Sequence, residues 1–292
     1  MIKILYGLPA IAAIIIIFVF LVRTAGDGSV VMAPVEMTRE LPSVETVFSN
    51  EISRTTIDNQ IVIEEAPAPE KSIDMFWWVD SGAYAFVRDG FLMTVSGRLP
   101  PNDKWRLKYL ESNSLDTDNG YCPQNIFRLV SRKKWQDFTE EAYLMIKKYN
   151  ASPSPNRAES NGLILMGRYV DGNNLYYAGI RVDGKAIIKR KYNGAYRTLA
   201  ETFVFAGGYD RDFRPNLLPE NRWLGLRMTV KNEASDQVRI RLDVDKSGQG
   251  DWQTVLETVD TAKNNRLRAI SRLGIRTDFM DVIIKNFSVS EL

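Results

Sequence analysis

The chain has 292 residues, of which 45% are hydrophobic and 25% are charged, and its formal net charge at pH 7 is +2. It contains no histidine and one cysteine, Cys122. The missing histidine excludes the commonest general base and zinc ligand, and a single cysteine cannot form an internal disulfide. We interpret Cys122 as a buried structural residue, because no histidine is present to activate it.

An uncharged, mostly apolar run occupies residues 4–22, with Lys3 before it and Arg23 after it. The run is about as long as a helix that spans a bilayer core. Arg23 stands where a signal-peptidase site requires a small residue, so we interpret the run as an uncleaved anchor. We therefore expect residues 1–23 to form a transmembrane helix that contacts membrane lipid through residues 4–22. The charge bias across the run favours an extracytoplasmic location for the rest of the chain, in the periplasm or at the cell surface.

Residues 24–72 indicate an acidic stalk. The segment holds nine acidic residues against three basic ones, together with Pro34, Pro42, Pro67 and Pro69. This composition is typical of an extended spacer. Within it, residues 61–63 form an apolar run that is expected to add a short strand to the next domain or to a partner. The basic residues beyond the stalk are scattered, so nucleic-acid binding is not indicated.

From residue 73 onward the chain changes to short apolar and aromatic runs separated by turn residues. These runs are typical of strands joined by hairpins. Residues 132–149 are the one segment in which a short helix is expected. The pattern predicts a single all-β domain over residues 73–292, a two-sheet antiparallel jelly-roll sandwich. Two-residue turn signals stand between neighbouring runs at Asp89-Gly90, Asp183-Gly184 and Asn193-Gly194.

Residues 174–200 resemble the central hairpins of the concanavalin A-like lectin/glucanase (laminin G-like) jelly rolls. In those hairpins a strand with paired tyrosines is followed by a glycine turn, a basic strand, a second glycine turn and a short strand. Three later segments resemble the end of the same domain: residues 221–227, residues 239–245 with Trp252, and residues 274–281 leading into 286–289. The resemblance thus covers roughly residues 73–292. The superfamily includes sugar-binding domains, glycoside hydrolases, polysaccharide lyases and adhesion modules. The resemblance therefore implies a fold and leaves the function open.

Two kinds of catalytic site known in this superfamily have no counterpart in the sequence. The Glu-x-Asp-x-x-Glu string of laminarinase-like hydrolases does not occur, and the histidine of alginate-lyase sites is missing. Asp278 and Asp281 are three residues apart, so they face opposite sides of a straight strand, and the adjacent Glu140 and Glu141 also diverge. The sequence therefore leans against an enzyme.

One polar segment has the spacing of an EF-hand-type calcium loop. Its oxygen ligands would be Asp243, Asp245, Ser247 and Asp251, with a glycine at the sixth position. The twelfth position is Thr254 instead of the usual bidentate glutamate. Two interpretations stay open, a Ca²⁺ site and a polar hairpin whose residues suit the turn.

Aromatic residues on strands supply the candidate ligand site. A sugar ring can stack on an aromatic ring while arginine binds its hydroxyl groups. Because side chains alternate along a strand, one ring of each adjacent pair faces outward. The candidate ligand-binding residues are Trp78, Tyr84, Arg168, Tyr176, Tyr177 and Arg181.

The leading interpretation is a membrane-anchored, non-catalytic, extracytoplasmic recognition module that binds carbohydrate and has no cofactor except the calcium considered above. The first alternative is a structural accessory subunit of a larger membrane protein complex, in which the sandwich contacts protein and the small residues of the apolar run allow close helix packing. The second alternative is a divergent glycan hydrolase or lyase.

Overall fold

The computed structural model describes residues 18–24, 30–36, 44–46, 61–234, 236–263 and 266–292. The chain divides into two units, Met1–Pro42 and Ser43–Leu292. The strands are β1 Phe18–Thr24, β2 Val30–Glu36, β3 Val44–Thr46, β4 Ile61–Glu64, β5 Trp77–Ser81, β6 Tyr84–Arg88, β7 Phe91–Thr94, β8 Ile126–Ser131, β9 Phe138–Tyr149, β10 Gly162–Asp171, β11 Asn174–Arg181, β12 Lys185–Tyr192, β13 Ala195–Phe203, β14 Leu224–Asn232, β15 Val238–Asp245, β16 Gln253–Asp260, β17 Arg272–Asp278 and β18 Met280–Glu291. The helix α1 spans Lys104–Ser112, and short 3₁₀ turns span Pro69–Lys71, Pro123–Asn125 and Arg266–Arg268.

The described part of the first unit is an antiparallel pair formed by β1 and β2. Residues 18–22 lie in β1, whereas the sequence predicted them as the end of a transmembrane helix. Four of these five residues are aromatic or β-branched, and such residues favour strands. The remainder of the predicted helix, residues 4–17, lies outside the described residues. Within the part of the chain that the structure describes, no helix is long and apolar enough to cross a membrane.

The second unit is built from two antiparallel sheets. The front sheet has seven strands in the order β13-β12-β11-β10-β17-β8-β5. The back sheet has the order β16-β15-β14-β9-β18-β7-β6-β4, with β3 paired to β18. Inward-facing side chains of both sheets form one apolar core, to which Leu165 and Ile275 contribute from the front and Leu144 and Leu226 from the back. This arrangement confirms the predicted all-β, two-sheet antiparallel sandwich.

Part of the predicted stalk pairs with the sandwich. Ile61 lies opposite Val87 where β4 pairs with β6, so the apolar run at 61–63 adds its strand to the domain and not to a partner. The Trp78 Nε1 donates to the carbonyl of Ala66 at 2.7 Å. Strand β3 also lies in the stalk range, and it pairs with β18. Residues 44–46 and 61–72 therefore contribute to the second unit.

The prediction of a helix within residues 132–149 is wrong, because residues 138–149 form strand β9. Alternate side chains of β9 are buried along much of its length, and its backbone pairs with β14 on one side and β18 on the other. The helix lies instead at α1. The Asp103 carboxylate caps it by accepting hydrogen bonds from the amides of Trp105 at 2.7 Å and Arg106 at 3.3 Å.

The loop after α1 leads the chain to one end of the front sheet. Gly120 has a positive φ of 82°, and a Cβ there would lie 2.0 Å from the carbonyl oxygen of Arg106. Only glycine suits such a close approach in this conformation. Cys122 follows and is buried, as expected from the sequence. Burial, together with the Asp118 carboxylate, raises the pKa of its thiol to about 12, so Cys122 is protonated at neutral pH.

Candidate functional site

The outer face of the front sheet carries its own apolar cluster, separate from the core between the sheets. Ile164 and Met166 of β10, Tyr177 of β11 and Ile187 of β12 are among its members, and all four are buried. The strand register explains the cluster, because Met166 lies opposite Tyr177 and Ile187 lies opposite Gly179. Residues paired across neighbouring strands point to the same face of a sheet. This cluster forms an apolar floor outside the core.

A cleft of about 430 Å³ lies over this floor. We call it the tyrosine cleft. Its volume is within the range of small-molecule sites, and its mixture of apolar walls and convergent polar groups is typical of them. The apolar lining is Ile126, Ile164, Ile187 and Phe279, and the polar lining is Asp116, Asn156, Ser160, Asn161, Tyr177, Lys189, Tyr196, Arg276 and Asp278.

Two tyrosine rings form the centre of the cleft. Tyr177 and Tyr196 stack with their ring centroids 6.0 Å apart and their planes inclined by 23°. Tyr177 is 5% exposed, whereas Tyr196 is 55% exposed. The Tyr177 hydroxyl accepts a hydrogen bond of 3.1 Å from Nη1 of Arg276. Tyr177 therefore belongs to the floor, and Tyr196 offers an open ring face to a ligand.

An ion pair lies beside the two rings. Arg276 and Asp278 are two residues apart on β17, so their side chains share a face. The Nε and Nη2 atoms of Arg276 lie 2.9 and 2.8 Å from Oδ1 of Asp278. The guanidinium is also 5.6 Å from the ring centroid of Tyr177. These contacts fix a donor group and an acceptor group in the wall of the cleft.

The side of the cleft formed by β12 is basic. Lys189 lies opposite Tyr177 on β12, and its Nζ is 6.0 Å from the ring centroid of Tyr196. The Nζ of Lys191 is 4.8 Å from the same centroid and donates to the carbonyl of Gly172 at 2.7 Å. The two amino groups thus flank the open ring of Tyr196.

The pKa values of these groups indicate a positive potential in the cleft. Burial and the charge of Arg181 lower the pKa of Lys189. Burial would raise the pKa of Tyr196, but Arg276 and Lys191 outweigh it, and the pKa of Tyr196 is lowered. Burial raises the pKa of Tyr177 to about 12 despite the opposing effect of Arg276. Tyr177 is therefore a neutral hydrogen-bonding group at neutral pH, and the lowered pKa of Tyr196 indicates surroundings that favour anions.

The rim opposite the tyrosines is formed by the loops at residues 113–116 and 150–161. The Asp116 Oδ1 accepts hydrogen bonds from Ser154 Oγ at 2.7 Å and from Asn156 Nδ2 at 2.9 Å. Its Oδ2 accepts one from Asn113 Nδ2 at 3.2 Å. Asp116 therefore ties the two loops together at the edge of the cleft.

Tyr176 and Tyr177 face opposite sides of β11, as the alternation predicted. Tyr177 lines the tyrosine cleft. Tyr176 is fully buried between the sheets, where its hydroxyl donates to Asp260 at 2.8 Å. Tyr176 therefore lies in the core and away from the cleft.

Arg168, expected from the sequence to be a ligand-binding residue, is also buried. A bulge interrupts β10 between Gly167 and Asp171, and Arg168 has a φ of 52°. The bulge turns Arg168 inward, where it pairs with Asp137 at 2.9 Å and donates to Asn232 at 3.1 Å. Its neighbour Tyr169 joins the outer apolar cluster in its place.

The other three candidate residues do not line the cleft. Trp78 belongs to the outer cluster of the front sheet and meets Tyr169 edge to face, with the ring centroids 6.4 Å apart. Tyr84 lies on the back sheet, in a separate depression with Asp103, where burial and Asp103 raise its pKa. Arg181 lies on the front sheet and pairs with Asp183 at 2.8 Å.

The sequence interpretation missed most of the groups that line the cleft. Tyr196 and Lys189 could have been found by counting outward from the Asn193-Gly194 turn, because the hairpin pairs Lys191 with Tyr196. No local signal could have placed Arg276, because its position depends on the pairing of β17 with β10 across more than 100 residues of chain.

The calcium-like segment forms a hydrogen-bonded turn. Asp245 Oδ1 accepts from the Ser247 amide at 2.9 Å, from Ser247 Oγ at 2.6 Å and from the Gly248 amide at 3.0 Å. Its Oδ2 accepts from the Gly250 amide at 2.7 Å and from the Tyr143 hydroxyl at 3.1 Å. Both oxygens of the Asp245 carboxylate therefore accept hydrogen bonds from the protein itself, as the polar-hairpin interpretation expects.

Of the other proposed metal ligands, Ser247 hydrogen-bonds to Asp245, whereas Asp243 and Asp251 have different surroundings. The Asp243 Oδ1 accepts from Thr254 Oγ1 at 2.6 Å and lies 3.3 Å from Nε of Arg241, and Asp251 is exposed. Over the residues the structure describes, no group of three or more cysteine, aspartate or glutamate side chains is placed to hold a metal ion.

No family model and no curated protein matches the sequence. Among solved structures, the chain is similar to the carbohydrate binding module CBM66 from Bacillus subtilis, at 15% identity, covering 74% of this chain and 95% of that one, with a TM-score of 0.44. It is similar to the GH43 protein BlXynB from Bacillus licheniformis, at 13% identity and a TM-score of 0.39, covering 93% of this chain and 46% of that one, about half of its length. It is also similar to the exoplasmic/lumenal domain of VIP36 in a Ca²⁺- and Man3GlcNAc-bound form, at 12% identity and a TM-score of 0.34, covering 79% and 88%. At these values the likenesses carry no argument about ligand or activity.

Proposed function

We propose that this protein is a carbohydrate-binding protein and that the tyrosine cleft is its sugar site. The observation that carries the proposal is the half-exposed ring of Tyr196, which stands over an apolar floor and beside a fixed ion pair. Aromatic rings offer apolar faces to a ligand, and a few convergent polar groups fix its orientation. A sugar presents the same combination, with C–H faces on the ring and hydroxyl groups around it.

The polar groups of the cleft suit hydroxyl recognition. Arg276 donates to Asp278 and to Tyr177, so both of its partners are held in place. Lys189 supplies a further donor and Asp278 supplies an acceptor, on two strands that flank the apolar floor. A sugar that stacks on Tyr196 would have donors on one side and an acceptor on the other.

The hydrolase alternative has one observation in its favour, since Asp116 and Asp278 both line the cleft. A retaining glycosidase requires two carboxyl groups about 5 Å apart, one as nucleophile and one as acid. Here Asp278 is held by Arg276, and Asp116 accepts three hydrogen bonds from the loops. We therefore propose binding without catalysis. Release of reducing ends by the wild type, and its loss in Asp278→Asn, would favour the hydrolase.

The membrane anchor and the extracytoplasmic location are carried by the apolar run alone and stay predictions. Residues 18–22 lie in β1, and a helix confined to residues 4–17 would be about 21 Å long, shorter than a typical bilayer core of about 30 Å. Carbonate extraction of membranes decides between the two outcomes. An anchored chain stays in the pellet, and a chain without an anchor moves to the supernatant. The accessory-subunit alternative would be favoured by a partner that co-purifies in mild detergent.

The sugar site is tested by glycan-array binding of the full-length chain, followed by titration of the best ligand. We expect Tyr196→Ala to weaken binding by about tenfold or more, because aromatic residues in pockets carry much of a binding energy. The matched control is Phe203→Ala, which removes another exposed ring from the same strand outside the cleft. A wild-type protein that binds no glycan, or equal losses in both variants, would overturn the proposal.

A further inference from the structure

Lys189 differs from Arg276 and Arg181, two other cations of the front sheet, in having no carboxylate partner among the described residues. It is only partly exposed, and it faces the tyrosine cleft. Arg276 pairs with Asp278, and Arg181 pairs with Asp183. Among the described residues, no carboxylate lies within ion-pair distance of the Lys189 amino group. A partly desolvated charge without a partner is costly unless a ligand completes it.

Burial has the largest effect on the pKa of Lys189, and the neighbouring charges act on it in both directions. The charge of Arg181 lowers the pKa of Lys189, whereas Asp183, Glu201 and Tyr196 raise it. Asp183 is engaged by Arg181 at 2.8 Å, and Glu201 is engaged by Lys185 at 3.2 Å. Burial and the charge of Arg181 outweigh these groups, so the pKa of Lys189 lies below its ordinary value.

A second group in the cleft, Tyr196, indicates a positive potential. The pKa of Tyr196 is lowered, because Arg276 and Lys191 outweigh the effect of burial. Tyr196 and Lys189 lie on neighbouring strands, and their side chains approach each other across the cleft. Arg276 and Lys191 therefore make the surroundings of the Tyr196 ring positive, and Lys189 lies beside the same ring.

We propose that the ligand of the tyrosine cleft is an anionic glycan whose carboxylate or sulfate group binds Lys189 while its sugar ring stacks on Tyr196. This inference rests on the proposed function. An anion would supply the missing partner of Lys189 through a charge-assisted hydrogen bond. The distance between the amino group and the ring centroid, 6.0 Å, places the charge beside the ring, where a substituent of a stacked sugar would lie.

The test compares matched ligands that differ in charge, with the full-length chain. The probes are galacturonic acid oligomers against their methyl esters, and dextran sulfate against dextran. We expect the charged member of at least one pair to bind about tenfold more tightly than its neutral partner, which is the effect of one charge-assisted contact. Preference in the first pair identifies a carboxylate ligand, and preference in the second identifies a sulfate ligand.

Two lysine variants assign the preference to a residue. Lys189→Gln should abolish the preference for the charged probe, because its loss of affinity for the charged probe should be about tenfold greater than its loss for the neutral probe. Lys185→Gln, on the same strand but paired with Glu201, should keep the preference. Thermal melts should show both variants folded, since both side chains are at the surface.

The outcomes separate this inference from the proposed function. Equal binding of the charged and neutral probes by the wild type overturns the anionic ligand and leaves the sugar site standing. A preference that survives Lys189→Gln also overturns the inference. If neither the probes nor an array of neutral glycans bind, both the inference and the proposed function fail.

Discussion

Tyr177 and Tyr196 stack at a centroid distance of 6.0 Å, although one ring is buried and the other is half exposed. They lie on β11 and β13, the strands on either side of β12. The contact therefore joins a residue that belongs to the packed floor with a residue that stands open to solvent. This difference in burial predicts that the two rings contribute differently to stability and to binding.

Replacement of the two tyrosines should separate those contributions. Tyr177→Ala removes a buried ring and should lower the free energy of unfolding by about 3–5 kcal/mol. Tyr196→Ala removes a half-exposed ring and should lower it by less than about 1 kcal/mol. Urea unfolding of both variants measures the two values. Equal losses would contradict the assignment of Tyr177 to the floor and of Tyr196 to the ligand.

Glu140 is a buried carboxyl group in the core between the sheets. It is fully buried, and neither carboxyl oxygen has a hydrogen-bond partner of standard geometry among the described residues. Burial raises the pKa of Glu140 well above its ordinary value, with only partial relief from the backbone of Gly274. The folded protein therefore keeps this carboxyl protonated at pH values where the unfolded chain has released the proton.

The sign of the pH dependence at Glu140 follows from this difference. The stability that the protonated Glu140 contributes is fully present below the pKa of about 4.3 in the unfolded chain. It is lost as the pH rises towards the higher pKa of this group in the folded protein. Glu140→Met removes the titration and should raise the free energy of unfolding at pH 7 by about 1–3 kcal/mol, and by less at pH 3. Glu141→Gln is the control, because Glu141 pairs with Arg227 at the surface. A gain of the same size at both pH values would contradict the raised pKa.

Asp245 has the opposite pH dependence. Burial alone would raise its pKa, but hydrogen bonds from Ser247, Gly250 and Tyr143 lower it below the ordinary value. Because the pKa of Asp245 is lower in the folded protein, its ionised form contributes stability above the pKa of about 3.9 in the unfolded chain. This contribution is lost as the pH falls through the pKa of Asp245 in the folded protein. Asp245→Asn should therefore cost about 1–3 kcal/mol at pH 7 and less at pH 2.5. Urea unfolding at the two pH values measures the change, and a pH-independent cost would contradict it.

Chelation tests the calcium hypothesis for the same turn. Because donors of the protein fill the Asp245 carboxylate, we expect excess EDTA to leave the melting temperature unchanged. A ligand that binds only the folded state raises the melting temperature, so a bound ion would be revealed by its removal. A fall with EDTA that Ca²⁺ reverses, and that Asp245→Ala abolishes, would restore the calcium site.

The hairpins could be predicted from the sequence because their signals are local. Asn193 and Gly194 have positive φ values of 49° and 80°, as a two-residue turn of this kind requires. The turn fixes the register of β12 and β13, and with it the approach of Lys191 to Tyr196. The all-β, antiparallel class follows from a series of such turns between apolar runs.

The bulge and the long-range pairings could not be predicted in this way. Arg168 has the sequence position of an outward-facing residue, and only the extra residue in β10 turns it into the core. Strand β9 is the same kind of case. Its pattern of polar and apolar residues is compatible with a helix. It forms a strand because its backbone pairs with β14 on one side and β18 on the other. In both places tertiary contacts outweigh the local pattern.

Hydrogen exchange of the full-length chain, with and without a saturating glycan from the array, tests the central claim most directly. The account predicts slower amide exchange in residues 185–203 and 152–161, which form the walls and rim of the tyrosine cleft, and unchanged exchange in residues 238–260 of the back sheet. Protection confined to the back sheet, with exchange in residues 185–203 unaltered, would contradict a sugar site in this cleft.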